Sequence, residues 1–219
     1  MYQSVILAAG LGTRMLPLTE HTPKPLLPSV ENSLLLNQIN FLKNYEMEVT
    51  VTIGYQKEKM KEALRGYGVN EFIHSENKGN AYWLNQIDIA KFKGPVVVIT
   101  SDNLMEIDIN NLIEEYFRKG EKSMIISVNL ENAKGDKIKV GDSNNIKAMD
   151  YQTSSGVIAS GLQILNLEDI KKNNLQFDDF HEVWGVLINE ERLILSDYQP
   201  TKWTSVDTVD DLKKFKNYF

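Results

Sequence analysis

The run Leu7-Ala8-Ala9-Gly10-Leu11-Gly12-Thr13-Arg14, and the Pro23-Lys24-Pro25-Leu26-Leu27-Pro28 segment after it, hold the residues best suited to chemistry. Glycine lets a backbone approach a phosphate without a Cβ clash, so that exposed loop amides can donate to its oxygens. Arg14 adds a planar fork of donors that matches phosphate. Lys24, flanked by prolines that stiffen its backbone, is a preorganised point charge rather than a freely moving surface amine. Two placed cations around one glycine loop suit a pyrophosphate group. A dinucleotide fingerprint does not fit: Met15 stands where its third glycine would be, and Ile53-Gly54 where its acidic ribose partner would be. The Gly-Lys-Ser/Thr of a Walker A loop occurs nowhere in the chain. Taken alone, the loop could still be a plain glycine turn.

Asp102 supplies a negative group. It follows the apolar stretch 95–100, which reads as a buried strand. In open α/β sheets ligands bind beyond the carboxyl ends of the strands, so Asp102 is expected to face the same crevice as the glycine loop. A carboxylate there suits Mg²⁺, which takes one or two carboxylates together with substrate phosphate oxygens. The alternative is an aspartate that merely closes a turn.

These residues need a scaffold. Apolar, β-branched runs predict strands over 4–9, 48–53, 71–74, 95–100 and 124–130, and helical spacing predicts helices over 33–45, 58–64, 80–90 and 110–119. Such alternation predicts an α/β fold, a Rossmann-like, mostly parallel sheet flanked by helices. Short β segments at 137–140, 146–149, 156–159 and 162–165 then predict an antiparallel extension, followed by helices over 167–172, 180–189 and 209–219. One domain over 1–219 is the simplest division, with a first part over 1–130 and a second over 131–219.

The composition agrees. A chain of 219 residues, 42% hydrophobic and 25% charged, has material for a sizeable core. Its net charge of −6 argues against a nucleic-acid partner, because a phosphate backbone demands a basic patch. With no cysteine, disulfides, thiolate metal sites and cysteine nucleophiles are excluded. His21, His74 and His181 form no HxxxH pair, so a histidine-rich zinc site is not expected. No basic leader precedes the first strand and no run reaches membrane-spanning length, so a cytoplasmic protein without a membrane partner is expected. Oligomeric state leaves no mark in the sequence.

The stretch from Leu7 through Arg14 to Met15-Leu16-Pro17-Leu18-Thr19, with Pro23-Lys24-Pro25, resembles the signature of the sugar-phosphate nucleotidyltransferase family, of the nucleoside-diphosphate-sugar pyrophosphorylase type. The resemblance implies a GT-A-like nucleotidyltransferase fold, with a nucleotide-binding part (1–130) and an acceptor-binding part (131–219). It also implies transfer of NMP from an NTP to a sugar 1-phosphate, with Mg²⁺ as cofactor. Leu7, Ala9, Gly10, Gly12 and Thr13 would bind the nucleotide, Arg14 and Lys24 would neutralise its phosphates, and Asp102 would bind the metal beside Asn103 on the substrate side.

The second metal-binding aspartate of that family falls in Lys202-Trp203-Thr204-Ser205-Val206-Asp207-Thr208-Val209-Asp210-Asp211. Many members place it two residues after the tryptophan, where this chain has Ser205. The related cytidylyltransferase pattern aligns with Asp207, and Asp210 or Asp211 in the first turn of the last helix are the alternatives. The family reads the base partly through the segment here occupied by His74, Glu76, Gly79 and Asn80, which equally reads as a turn with a helix cap. Acceptor contacts would come from Gly161, Glu182 and Lys202. Glu182 equally reads as a solvated helix residue, and Trp203 as a pocket wall or core side chain. An attached β-helix acyltransferase domain, found in some relatives, is not expected at this length. Two other functions stay open: a cytidylyltransferase for a phosphorylated non-sugar such as phosphocholine or a phosphonate, and a non-catalytic nucleotide-binding regulator.

Overall fold

The computed structural model describes residues 1–29, 32–129, 135–150, 156–172 and 174–215. The first half alternates as expected: β1 (Gln3–Leu7), α1 (Leu34–Lys43), β2 (Glu48–Ile53), α2 (Lys57–Ala63), β3 (Glu71–His74), β4 (Val96–Thr100), β5 (Asn103–Glu106), α3 (Ile109–Arg118) and β6 (Ser123–Val128). The second half adds β7 (Lys137–Val140), β8 (Ile146–Asp150), β9 (Val157–Leu165), α4 (Leu167–Lys171), α5 (Phe180–Asn189), β10 (Leu193–Leu195), β11 (Lys202–Ser205) and α6 (Val209–Phe215). Residue 130 of the expected strand over 124–130, and 216–219 of the expected last helix, lie outside the described residues.

Among the described residues nine strands form one sheet, ordered β10-β6-β9-β4-β1-β2-β3 with β7 and β8 branching from β9. β4, β1, β2 and β3 run parallel, whereas β9 runs antiparallel between β4 and β6. The expected mostly parallel sheet with an antiparallel extension is therefore what forms. Because strand side chains alternate, Val49, Val51, Val97 and Ile99 face α1, α2 and α3, while Val5, Val96 and Val98 face Trp83, Phe180 and Leu187. A smaller third core joins Met15 and Leu27 of the first loop to Leu104, Val206 and Leu212. It anchors the glycine loop to the end of the chain.

Three local differences from the sequence expectations bear on function. The helix expected over 80–90 is instead two 3₁₀ turns, Tyr82–Asn85 and Ile89–Lys91. Its polar groups bond elsewhere: the Asn85 side chain exchanges hydrogen bonds with the Phe177 backbone, and the Ala81 amide donates to the Asp178 carbonyl. The two segments expected over 156–159 and 162–165 are one strand, β9, kinked at Gly161 with φ +83°. Finally, β5 and β11 form a separate two-stranded antiparallel ribbon that sequence patterning did not indicate.

Candidate active site

Gly12 sets the geometry of the first loop. It holds φ +65°, and an added Cβ would lie 2.8 Å from the Lys24 Cβ, so only glycine allows the loop and the Pro-Lys-Pro segment to touch. The Thr19 hydroxyl donates to the Gly12 carbonyl at 2.9 Å. Pro23 precedes a 3₁₀ turn, Lys24–Leu26, that presents the lysine inward. Among the described residues, the loop and turn hydrogen bonds include none donated by the amides of Gly10, Leu11, Gly12 or Thr13, which leaves these donors available.

The β5–β11 ribbon brings the two aspartates together. Asn103 pairs with Ser205 in its register, and the Val206 amide donates to the Asp102 carbonyl at 2.9 Å, so Asp102 and Asp207 lie just beyond the same end of the ribbon. The Lys24 Nζ lies 2.6 Å from Asp102 Oδ2 and 3.4 Å from Asp207 Oδ1. Arg14 Nη2 donates to the same Asp207 oxygen at 2.8 Å, and the Ser205 hydroxyl to the other at 2.9 Å. Lys24 is largely buried, with 11% of its side chain exposed, whereas Arg14 is 69% exposed and can turn toward a ligand. One ammonium bridging two carboxylates shows that both reach the same point in space.

Asp211 accepts its hydrogen bonds from its own turn. Burial alone would raise its carboxyl pKa, but hydrogen bonds from the Thr208 hydroxyl and from the amides of Thr208 and Asp207 hold it below the usual value. It caps the turn that presents Asp207. Asp210 is exposed and pairs with Lys213.

Two cavities meet at these residues. A cleft of about 400 Å³ is lined by Leu7, Ala9, the loop 10–14, Lys24, Ser75, Lys78, Gly79, Asn80, Asp102 and Asp207. A second, of about 590 Å³, shares Leu7, Arg14, Asn80, Asp102 and Asp207, and adds Asn103, Asp136, Lys137, Gly161, Gln163, Phe180, Trp184 and Trp203. Gly161 is required there, because a Cβ would collide with the Asn103 side chain. The Trp184 indole donates to Gln163 Oε1 at 3.0 Å and the Trp203 indole to the Ser160 carbonyl at 2.8 Å, which fixes both rings. Trp203 is wall and core at once, since it also packs on the main apolar cluster.

Four expected contacts are placed elsewhere. His74 is exposed at the end of edge strand β3, and Glu76 pairs with Lys57 at 3.4 Å; neither lines either of these two cavities. Glu182 completes a capping box on α5, accepting from the Asp179 amide at 3.3 Å and also from the Asp178 amide at 2.7 Å, because it is the third helical residue after Asp179. Lys202 is opposite Glu106 at the far end of the ribbon and pairs with it at 2.7 Å. Gly79 and Asn80 do line the first cleft, but not as a helix cap of their own segment: Gly79 abuts the Asp178 backbone, and the Asn80 side chain accepts from the Phe180 amide at 2.9 Å.

Sequence reasoning missed Asp136, Lys137, Gln163, Phe180, Trp184 and His181. His181 bridges Asp136 at 2.9 Å and Asp179 at 2.7 Å, clasping the 135–137 segment to α5. Burial would lower its pKa, but the hydrogen bonds and charges of Asp179 and Asp136 outweigh that and raise it. Periodicity alone offered no signal for these residues, which come from three separate segments.

Comparison with known proteins adds an independent line. A family model described as Nucleotidyl transferase matches residues 3–147. The mannose-1-phosphate guanyltransferase of Pichia angusta is 22% identical over 95% of this chain and 62% of its own length. The choline-phosphate cytidylyltransferase of Streptococcus pneumoniae is 29% identical over 98% of this chain and 96% of its own. The chain spans about half the length of other curated relatives it matches. A UDP-glucose pyrophosphorylase solved with UDP-glucose superposes with a TM-score of 0.78 at 20% identity, covering 100% of this chain and 98% of that one, a likeness of fold.

Proposed function

The chain belongs to the nucleotidyl transferase family, and we propose that it transfers a nucleoside monophosphate from an NTP to a phosphorylated small molecule, releasing pyrophosphate. The observation that carries this reading is the meeting of Arg14, Lys24, Asp102 and Asp207 where the two cavities join. The glycine-loop cleft would take the triphosphate, with loop amides on its oxygens, and the second cavity the acceptor. Residues on both sides of position 130 line that second cavity, so the acceptor part draws on the whole chain.

An acceptor phosphate oxygen forms a bond to the α-phosphorus as the bond to the bridging oxygen of the leaving pyrophosphate breaks, in line. Arg14 and Lys24 offset charge that grows on the phosphate oxygens. No general base is needed, because a phosphate dianion is already a nucleophile. The donor set fits Mg²⁺: two carboxylates converge, and among the described residues no cluster of three or more acidic, histidine or cysteine ligands exists to suit an all-protein cage. Asp102 and Asp207 would hold it, and when bound it supplies Lewis-acid neutralisation of the phosphates.

For the acceptor, the first reading is a sugar 1-phosphate, supported by the signature and by the Pichia relative. A second reading, a phosphorylated amino alcohol, is favoured by the walls of the second cavity. Phe180, Trp184 and Trp203 with the Asp136 carboxylate suit a cationic group, and the Streptococcus relative matches this chain over nearly its full length. Pyrophosphate release, measured for each NTP with glucose 1-phosphate, mannose 1-phosphate and phosphocholine, with and without Mg²⁺, tests the proposal. Turnover only with Mg²⁺ is expected. NTP binding without turnover on any acceptor would favour a non-catalytic nucleotide-binding protein instead.

A further inference from the structure

We propose that Lys137 is the cation that grips the phosphate of the acceptor, an inference that rests on the transferase reading above and specifies its second site. A phosphate monoester brought beside an NTP carries up to two negative charges into a cavity already edged by Asp102, Asp136 and Asp207. It needs a cation of its own. Arg14 and Lys24 serve the NTP phosphates in that reading, beside the glycine loop. The Lys202 ammonium, three residues from the junction end of the ribbon, is paired with Glu106 outside the cavity.

Lys137 meets the requirement. It lines the second cavity at the first residue of β7, it is half-buried, and among the described residues no carboxylate lies within ion-pair distance of it. Its backbone is fixed on two sides. β7 pairs with both β8 and β9, and the preceding Asp136 is held by His181 at 2.9 Å. Lysine is also a compact charge that accepts a phosphate from several directions, which suits an oxygen that must stay free to attack.

The test compares the wild-type chain with K137Q and K137R, with unchanged thermal melting as the check on folding. On whichever of glucose 1-phosphate, mannose 1-phosphate or phosphocholine turns over, K137Q is expected to raise the acceptor KM about 10- to 100-fold, the effect of losing a charge-assisted contact. The NTP KM stays within about twofold, and K137R recovers most of the loss. An acceptor KM unchanged in K137Q, or acceptor and NTP KM raised alike, overturns the proposal. Binding of the same three phosphate monoesters, followed by ³¹P NMR with an α,β-methylene NTP present, separates the two claims. If wild type binds a monoester without turnover, the transferase reading fails while loss of that binding in K137Q still supports Lys137; equal binding in K137Q, or none in wild type, counts against Lys137.

Discussion

The two sides of the junction are built in different ways. The proposed nucleotide side is largely local: Leu7 to Lys24 places the glycine turn, Arg14 and Lys24 within one loop, where Gly12 abuts Lys24 a dozen residues on. The acceptor side is assembled from afar. Asp136 and Lys137 come from the start of β7, Gly161 from β9, Phe180 and Trp184 from α5, and Trp203 from β11. Only the β5–β11 ribbon, pairing residues about a hundred positions apart, sets Asp207 beside Asp102. A contiguous loop preserves phosphate chemistry, whereas a composite wall lets the acceptor change while that chemistry stays in place.

Substitutions can break this contrast at points of decreasing force. The largest effect is expected for D102A and D207A, which should each lower kcat about 10³-fold or more, because each removes a charge from the reacting centre; steady-state pyrophosphate release reads this, with D210N near wild type. Next, R14A and K24A should cost about 10²- to 10³-fold in kcat/KM for the NTP while leaving acceptor affinity nearly unchanged. If acceptor binding fell equally, the two sides would not be separable. G12A should destabilise the fold by about 1–3 kcal/mol, through a left-handed backbone and contact with Lys24, lowering the Tm and the NTP affinity together. W203A should raise the acceptor KM about tenfold through lost wall area and leave the NTP KM unmoved.

The smallest effect concerns pH. The His181 pKa is raised, so the clasp it makes with Asp136 and Asp179 is fully present below the unfolded histidine value and is lost as pH rises through the higher folded value. Tm should therefore fall slightly across that window in the wild type and not in H181Q. An identical pH profile in the variant would show that the clasp carries no stability.

Legibility in the sequence follows the same division. Long periodic segments such as α1, α3 and α5 and the buried strands β2, β4 and β6 lie where apolar spacing put them, within a residue or two. The glycine loop stood out because its candidate residues are consecutive. The ribbon did not, because neither Asn103–Glu106 nor Lys202–Ser205 is an apolar, β-branched run, and their pairing is long-range. The 3₁₀ turns replaced an expected helix because Asn80 and Asn85 bond to the 177–180 segment, a tertiary preference that local propensity does not encode. Glu182 and Lys202 had the right residue type for ligand binding. Their capping and ribbon partners claimed them instead.

The central claim is that Asp102 and Asp207 hold one cation together. Mn²⁺ affinity, read by electron paramagnetic resonance in the presence of an α,β-methylene NTP, tests it most directly. D102N and D207N should each weaken binding about tenfold or more, the scale of one lost charged contact, with D210N indistinguishable from wild type. Wild-type affinity in D207N, or a loss in D210N instead, would contradict the account.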